Sequence, residues 1–458
     1  MSLRPRERAY TAYRFGVIVA AFVPLAFTFL RDRKRFILFG SRRHVSDEEH
    51  RRRAEYLLNT FLSLGPTFIK FGQVLSTRPD ALPEVYTEVL SKLQDDVPPA
   101  PYEEVREVVS EDVGDPERVF TRFEREPISG ASIGQVHVAE REGERYAVKI
   151  LRPGVRDRIE TDLRVIEATL PLVLRFAKEG QRFTLSNLAD QFKEAIREET
   201  DYDREARSIE TIRENLSDEP VVVPEVVDEL SSDRVITMEY VEGTKITEVE
   251  ELRGRGIDTT RVVQDLQRAY MQMILEDGVF HADPHPGNLA VAPDGRVIFY
   301  DFGIVGRVSD ETRDGIFDLY VAISRNDIDN MINSFIDMGA LDPNVDRGIA
   351  RRMFRIMLDN VRGQDIDDER VEDMIDELQE DMYEFPMRVP RDLALLFRTT
   401  TVLEGIFYTL DNSYDFFPVI RDYLVRKRMG PVGRTVVNIA VTADRLVSRF
   451  VSIFPERT

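Results

Sequence analysis

The sequence predicts an α+β fold in which a small strand-rich unit precedes a larger helical one. Short β-prone runs at Ile133–Val138, Tyr146–Ile150, Val221–Val223 and Val235–Tyr240 crowd the span from Val119 to Tyr240. Helical patterns interrupt them over Arg156–Lys178 and Leu185–Leu216, and dominate from Gly243 onward. With 458 residues, 42% of them hydrophobic, the chain has enough apolar surface to close two or three compact cores.

The elements follow in order. Residues 1–44 form a basic and apolar segment. Within it Phe15–Leu30 is an uncharged run of 16 residues, with Arg4, Arg6, Arg8 and Arg14 before it and Arg31, Arg33, Lys34 and Arg35 after. A helix of that length rises about 24 Å, short of the roughly 30 Å hydrocarbon core. The expectation is a segment dipping into an anionic bilayer surface, with an apolar helix buried on the protein as the alternative. Residues 45–118 read as helical: Tyr56, Leu57, Phe61, Leu62 and then Phe68, Ile69, Val74, Leu75 recur at helical spacing, before a linker at Asp95–Pro101. Residues 119–242 hold the strands with inserted helices. Residues 243–425 are helical apart from one hairpin, Leu289–Ala292 and Val297–Tyr300, turned by Pro293-Asp294-Gly295. Residues 426–458 form an amphipathic tail, with Arg445 and Arg449 in Val436–Phe454.

Charge and composition exclude several classes. The formal net charge is −21, so nucleic acid is not expected as a partner. Only eight of the 62 cationic residues are Lys and there is no Trp, a usage that suits concentrated salt and a halophilic source. The absence of Cys rules out disulfides, thiolate nucleophiles and Cys-based metal sites.

Phosphoryl transfer needs cations and backbone dipoles for the phosphates, hard oxygens for magnesium, and a base that orients the acceptor. Four segments supply these in order. Ser129-Gly130-Ala131-Ser132-Ile133-Gly134 is a small-residue loop before a strand; such loops let backbone N–H groups approach a phosphate, though most are simply turns. Lys149 ends the apolar run Tyr146-Ala147-Val148, where it can reach phosphates and pair with a helical acid. Glu199-Thr200-Asp201-Tyr202-Asp203-Arg204-Glu205 is acid-rich; Glu205 is the expected partner of Lys149, with Glu199 less than two turns away. The deciding segment is His281-Ala282-Asp283-Pro284-His285-Pro286-Gly287-Asn288, followed thirteen residues later by Asp301-Phe302-Gly303. In it Asp283 orients or deprotonates the acceptor, and Asn288 and Asp301 ligate magnesium. Pro284 and Pro286 forbid the helix that would set His281 and His285 together for zinc.

These motifs, with Lys70-Phe71-Gly72-Gln73 upstream and ITMEYVEG around Glu239 and Tyr240, resemble the UbiB/ADCK family of atypical protein-kinase-like proteins over roughly Asp47–Asp411. The resemblance implies a bilobal protein-kinase-like fold with an N-terminal helical KxGQ extension. It also implies ATP or ADP with Mg2+ as cofactors, and nucleotide contacts from Ser129, Gly130, Ala131, Ser132, Gly134, Lys149, Glu239 and Tyr240. Glu199 joins the metal ligands, and Lys70 and Gln73 form a regulatory lid over the nucleotide. The family is linked to isoprenoid-quinone and lipid metabolism at membranes. The resemblance thus implies a lipid or quinone-precursor partner, a homodimer or biosynthetic complex, and a place on the cytoplasmic side of the membrane, peripheral or N-terminally anchored. Two departures stand out: the family's Ala-Ala-Ala-Ser loop is Ser129-Gly130-Ala131-Ser132 here, and the amphipathic stretch Val436–Phe454 stands where bacterial relatives often carry two apolar membrane helices. A helical pattern resumes by about Asp310 with no Ala-Pro-Glu after Gly303, which agrees with the family. The rival readings are a small-molecule kinase of the aminoglycoside or choline type, which lacks the Lys70 extension, and a nucleotide-binding scaffold without turnover.

Overall fold

The computed structural model describes residues 5–33, 46–76, 82, 84–94, 99–130, 133–176, 179–361, 390–412 and 414. Ala131, Ser132 and the tail beyond residue 426 lie outside the described residues. The chain divides into two compact units, residues 1–207 with 225–240 and residues 208–224 with 241–458.

The first unit carries helices α1 (Pro5–Arg33), α2 (Asp47–Leu64), α3 (Pro66–Ser76), α4 (Glu84–Leu90), α5 (Tyr102–Asp112), α6 (Pro116–Val119), α7 (Val155–Phe176), α8 (Glu179–Glu199) and the start of α9 (Tyr202–Asn215). Its strands are β1 (Arg122–Phe123), β2 (Ser129–Gly130), β3 (Gly134–Arg141) and β4 (Glu144–Leu151), while β5 (Val221–Val222) belongs to the second unit and β6 (Val235–Glu239) to the first. The sheet order is β1-β3-β4-β6, all antiparallel, with β2 also on β3. Val148 and Ile150 of β4 join Val105, Val108 and Val109 of α5 in one buried cluster. Period-2 alternation therefore turns Lys149 to the opposite face of the central strand.

Helices α1, α2, α3, α4 and α7 share a second core, in which Phe61, Phe68 and Leu90 meet Ile18, Leu25 and Val165. Here the structure extends the sequence reading. The helix around Phe15–Leu30 is 29 residues long and continues through Pro24. One face is packed, and Arg14, only 6% exposed, forms an ion pair with the fully buried Asp162 of α7 at 2.6 Å. The other face leaves Tyr13, Val23 and Phe27 exposed.

Two further expectations change. The single helix read over Leu185–Leu216 is two, because Asp201 accepts the Arg204 backbone N–H at 3.0 Å and caps a fresh start. The strand at Val221 pairs in parallel with a hairpin strand of the second unit, not with β4 or β6.

The second unit contains β7 (Thr244–Lys245), α10 (Val249–Gly254), α11 (Thr259–Gln272), β8 (Val279–His281), β9 (Leu289–Val291), β10 (Val297–Phe299), β11 (Val305–Arg307), α12 (Asp310–Arg325), α13 (Ile328–Asp337), α14 (Arg347–Val361) and α15 (Arg391–Leu410). One small sheet has the order β5-β10-β9-β7; β8 and β11 form a separate antiparallel pair. The hairpin closes where expected, with Gly295 at φ +90° donating to the Ala292 carbonyl at 2.9 Å. Asp392–Leu410 is long and apolar enough to cross a membrane by length and composition alone. In this fold it packs on α11 and β11, with Leu393, Leu403, Ile406 and Leu410 buried.

Candidate active site

In the first unit, Lys149 lies opposite Val136 on β3 and Ile236 on β6, so ladders on both sides fix its backbone. Its Nζ donates to Glu205 Oε1 at 2.5 Å, with side-chain exposures of 12% and 3%. The ammonium also stands 5.4 Å from the ring centre of Tyr202, the first residue of α9. The Tyr202 hydroxyl in turn lies where a Cβ on Gly134 would come within 2.3 Å. Gly134 is thus needed for close packing at the start of β3. Ser129 and Gly130 are exposed on β2. At the end of β6, Glu239 is exposed and Tyr240 lies under the Arg145 guanidinium, 4.0 Å from its ring centre.

The KxGQ segment falls on α3. Lys70 Nζ pairs with Glu199 Oε2 at 2.5 Å, both side chains being mostly buried. A Cβ on Gly72 would meet Leu93 Cδ1 at 2.2 Å and the Phe61 ring at 2.6 Å, so only glycine fits. Gln73 Nε2 donates to the Leu93 carbonyl at 3.0 Å. Lys70–Glu199 and Lys149–Glu205 are therefore two lysine–glutamate pairs whose acids flank the α8–α9 break.

In the second unit, Asp283 follows β8, Asn288 precedes β9 and Asp301 lies two residues beyond β10. Tyr300 N–H donates to the Asn288 carbonyl at 3.0 Å, so the hairpin ladder extends to Asn288 at its open end, with Asp301 one residue beyond the partner of Asn288. Asn288 Nδ2 donates to the Asp283 carbonyl at 3.1 Å, leaving the amide oxygen directed elsewhere. Asp301 Oδ1 accepts from Gly303 N–H at 2.8 Å. The fully buried His281 braces this loop: Nε2 donates to the Asp301 carbonyl and Nδ1 accepts from the Tyr270 hydroxyl. Burial pushes the His281 pKa down even though Asp283 and Asp301 oppose it, which favours the neutral ring this bonding requires. Burial also pushes the Tyr270 hydroxyl well above its ordinary range.

Two groups at this loop escaped the sequence reading. Arg398 Nη2 donates to Asp283 Oδ1 at 2.8 Å, and Thr399 Oγ1 donates to the Ala282 carbonyl at 3.2 Å. Both sit on α15, more than a hundred residues downstream of the loop. Beyond Gly303 the chain passes through β11 directly into α12, whose first turn Ser309 caps by accepting from Thr312 N–H at 3.2 Å. No long segment intervenes.

A kinase-like ABC1 domain, described as the ABC1 atypical kinase-like domain, matches residues 92–335. The chain belongs to this family. Among ABC1 relatives it is 34% identical to the protein ACTIVITY OF BC1 COMPLEX KINASE 7, chloroplastic, of Arabidopsis thaliana, over 91% of this chain and 61% of that one. It is 34% identical to protein sll1770 of Synechocystis, over 83% of this chain and 66% of that one. The chain thus spans about two-thirds or less of these relatives' length. A solved structure, Rv3197 of Mycobacterium tuberculosis in complex with erythromycin, aligns with TM-score 0.48 and 24% identity, covering 80% of this chain and 93% of that one. Family membership makes the α+β, protein-kinase-like fold and a kinase-like class plain for this chain.

The donor chemistry also fits nucleotide with magnesium. Among the described residues no cluster of three or more His, Asp or Glu is set to hold a metal alone. Asn288 and Asp301 instead offer two hard oxygens, the modest set that suits a Mg2+ bound largely through substrate phosphates.

Proposed function

We propose that this ABC1-family chain is an ATP-binding, magnesium-dependent atypical kinase or ATPase of the UbiB/ADCK type, supporting isoprenoid-quinone or lipid metabolism at a membrane. The observation that carries the reading is the Lys149–Glu205 pair, 2.5 Å apart and nearly buried on the central strand. Charge buried at that cost is worth retaining when phosphate replaces part of the missing hydration. Lys149 would hold the α/β-phosphates. Asn288 and Asp301 would hold Mg2+, which would supply charge neutralisation along the phosphates. Asp283 orients the acceptor and takes its proton. ADP competes for the same groups, and the glycine at position 130 bears on the ATP–ADP balance.

The short path from Gly303 to α12 supports a small or lipid acceptor, or water, over a protein, because a peptide would find no activation segment to lie on. Membrane contact is supported by α1. Residues 1–44 hold ten Lys and Arg against two acids, in a chain whose net charge is −21. The exposed stripe Tyr13, Gly16, Ala20, Val23 and Phe27 carries no charge. A basic segment with an uncharged face suits an anionic leaflet, which supports the reading of a peripheral or N-terminally anchored enzyme on the cytoplasmic side.

Two measurements test this. MgATP should raise the melting temperature of the wild type, and Lys149→Ala and Asp301→Asn should abolish that rise. Phosphate release should increase with anionic vesicles and disappear in Asp283→Asn. Variants that bind MgATP like wild type would show the site to be elsewhere, and equal release by Asp283→Asn would leave a nucleotide-binding scaffold.

A further inference from the structure

Phosphoryl transfer concentrates negative charge where the acceptor, the moving phosphoryl group and the general base converge. The loop that holds Asp283 has no cation of its own. No Lys or Arg occurs between Arg268 and Arg296, and none from Asp301 to Gly306. His285 is used locally, its Nδ1 accepting from Gly287 N–H at 3.2 Å. The positive charge comes instead from α15, where Arg398 touches Asp283 Oδ1 at 2.8 Å.

We infer that Arg398 is a catalytic cation of this chain, supplied in cis to the transferring phosphoryl group beside Asp283; this rests on the kinase or ATPase reading above. The contact is single-pronged, through Nη2 alone, although guanidinium and carboxylate can pair by two parallel bonds. The Arg398 side chain remains 38% exposed and that of Asp283 27%, so neither is sealed in a structural pair. Asn288 Nδ2 lies 3.4 Å from the other Asp283 oxygen, so the carboxylate is held from both sides. The backbone beneath Arg398 is fixed by its neighbour: Thr399 is fully buried and bonded to the Ala282 carbonyl. Two consecutive residues of one helix thus pin Ala282 and present a permanent charge at Asp283. An arginine stays protonated at any working pH and matches phosphate oxygens with its planar fork.

In the step, a lone pair of the acceptor oxygen forms the new P–O bond to the γ-phosphorus. The bond from that phosphorus to the β,γ-bridging oxygen breaks, and its electron pair leaves on ADP. The acceptor proton passes to the Asp283 carboxylate. With water as acceptor the products are ADP and inorganic phosphate. Arg398 neutralises charge on the phosphoryl oxygens as they pass Asp283, a contact stronger in the transition state than before it.

The test compares wild type, Arg398→Ala and Arg398→Lys by steady-state phosphate release, with melting temperature as a check on folding. Removal of one such donor should lower kcat on the order of 10²–10³-fold while leaving KM for MgATP nearly unchanged. Arg398→Lys should fall between, and free guanidinium ion should restore part of the Arg398→Ala rate, which a merely structural loss would not allow. MgADP with aluminium fluoride should lose affinity for Arg398→Ala while MgADP alone does not. A kcat equal to or above wild type, a loss confined to KM, or undiminished aluminium fluoride binding would overturn the inference. Wild type that neither binds MgADP nor releases phosphate would overturn the parent reading instead.

Discussion

At the scale of single residues, the chemistry rests on charges that are nearly buried and paired. Glu205→Ala would remove the acid paired with the Lys149 ammonium, whose side chain is 12% exposed. Loss of one partner from such a pair typically costs about 3–5 kcal/mol, so urea denaturation should show Glu205→Ala well below wild type, with Glu205→Gln intermediate. Gly72→Ala should also destabilise, by about 1–3 kcal/mol, because its methyl group would enter space held by Leu93 and Phe61. His137 predicts a pH dependence. It is buried, donates from Nδ1 to the Glu124 carbonyl at 2.7 Å, and accepts at Nε2 from Gln135 Nε2 at 2.8 Å. Burial lowers its pKa from 6.5, so the unfolded chain binds the proton more readily than the folded one. Its contribution is therefore complete above pH 6.5 and is lost as pH falls below it, with a slope of up to about 1.4 kcal/mol per pH unit. In denaturant titrations His137→Asn should flatten that acid limb; an unchanged limb would assign it to other groups.

At the scale of elements, α1 is the least expected piece. Its packed face is held by apolar contacts and by the Arg14–Asp162 pair, whose guanidinium also donates to the Leu64 carbonyl at 2.5 Å. Asp162→Ala should cost about 3–5 kcal/mol and raise hydrogen exchange along α1 before the sheet, since the helix loses the anchor for a buried cation. The opposite face makes a separate prediction. Tyr13→Glu with Phe27→Glu should leave the melting temperature near wild type, because both side chains are exposed, yet weaken sedimentation with anionic vesicles. Undiminished sedimentation would move membrane contact away from α1. The alternatives read from Phe15–Leu30 were burial or bilayer contact; a helix has two faces, and here one is packed while the other is bare.

At the scale of the whole molecule, the acidic excess makes a prediction of its own. A chain at −21 repels itself at low ionic strength, and molar salt shortens the screening length to about 3 Å. Thermal stability should rise from low to molar potassium chloride, as a halophilic protein's would; a flat response would remove the halophilic reading and leave an ordinary acidic surface. The charged groups of interest divide between the two compact units. The first carries both lysine–glutamate pairs, and the second carries Asp283, Arg398, Asn288 and Asp301.

The family was legible through the resemblance of its motifs. Local spacing by itself determined the α+β class, the hairpin with its Gly295 turn and Lys149 on a strand, because each depends on neighbours a few residues apart. The direct entry from Gly303 into α12 was legible for the same reason. The pairing of Lys149 with Glu205 was legible too, since both residue types were conspicuous in their segments. Only the tertiary structure decided what lies on the far side of a contact. It bound Gln73 to the Leu93 carbonyl, joined β5 to the second unit's sheet, buried Arg14 against Asp162, and brought Arg398 to Asp283 across 115 residues. Hydrophobic periodicity says which face of an element is buried but not against what, and an arginine in a helix reads the same whether it meets water or a carboxylate.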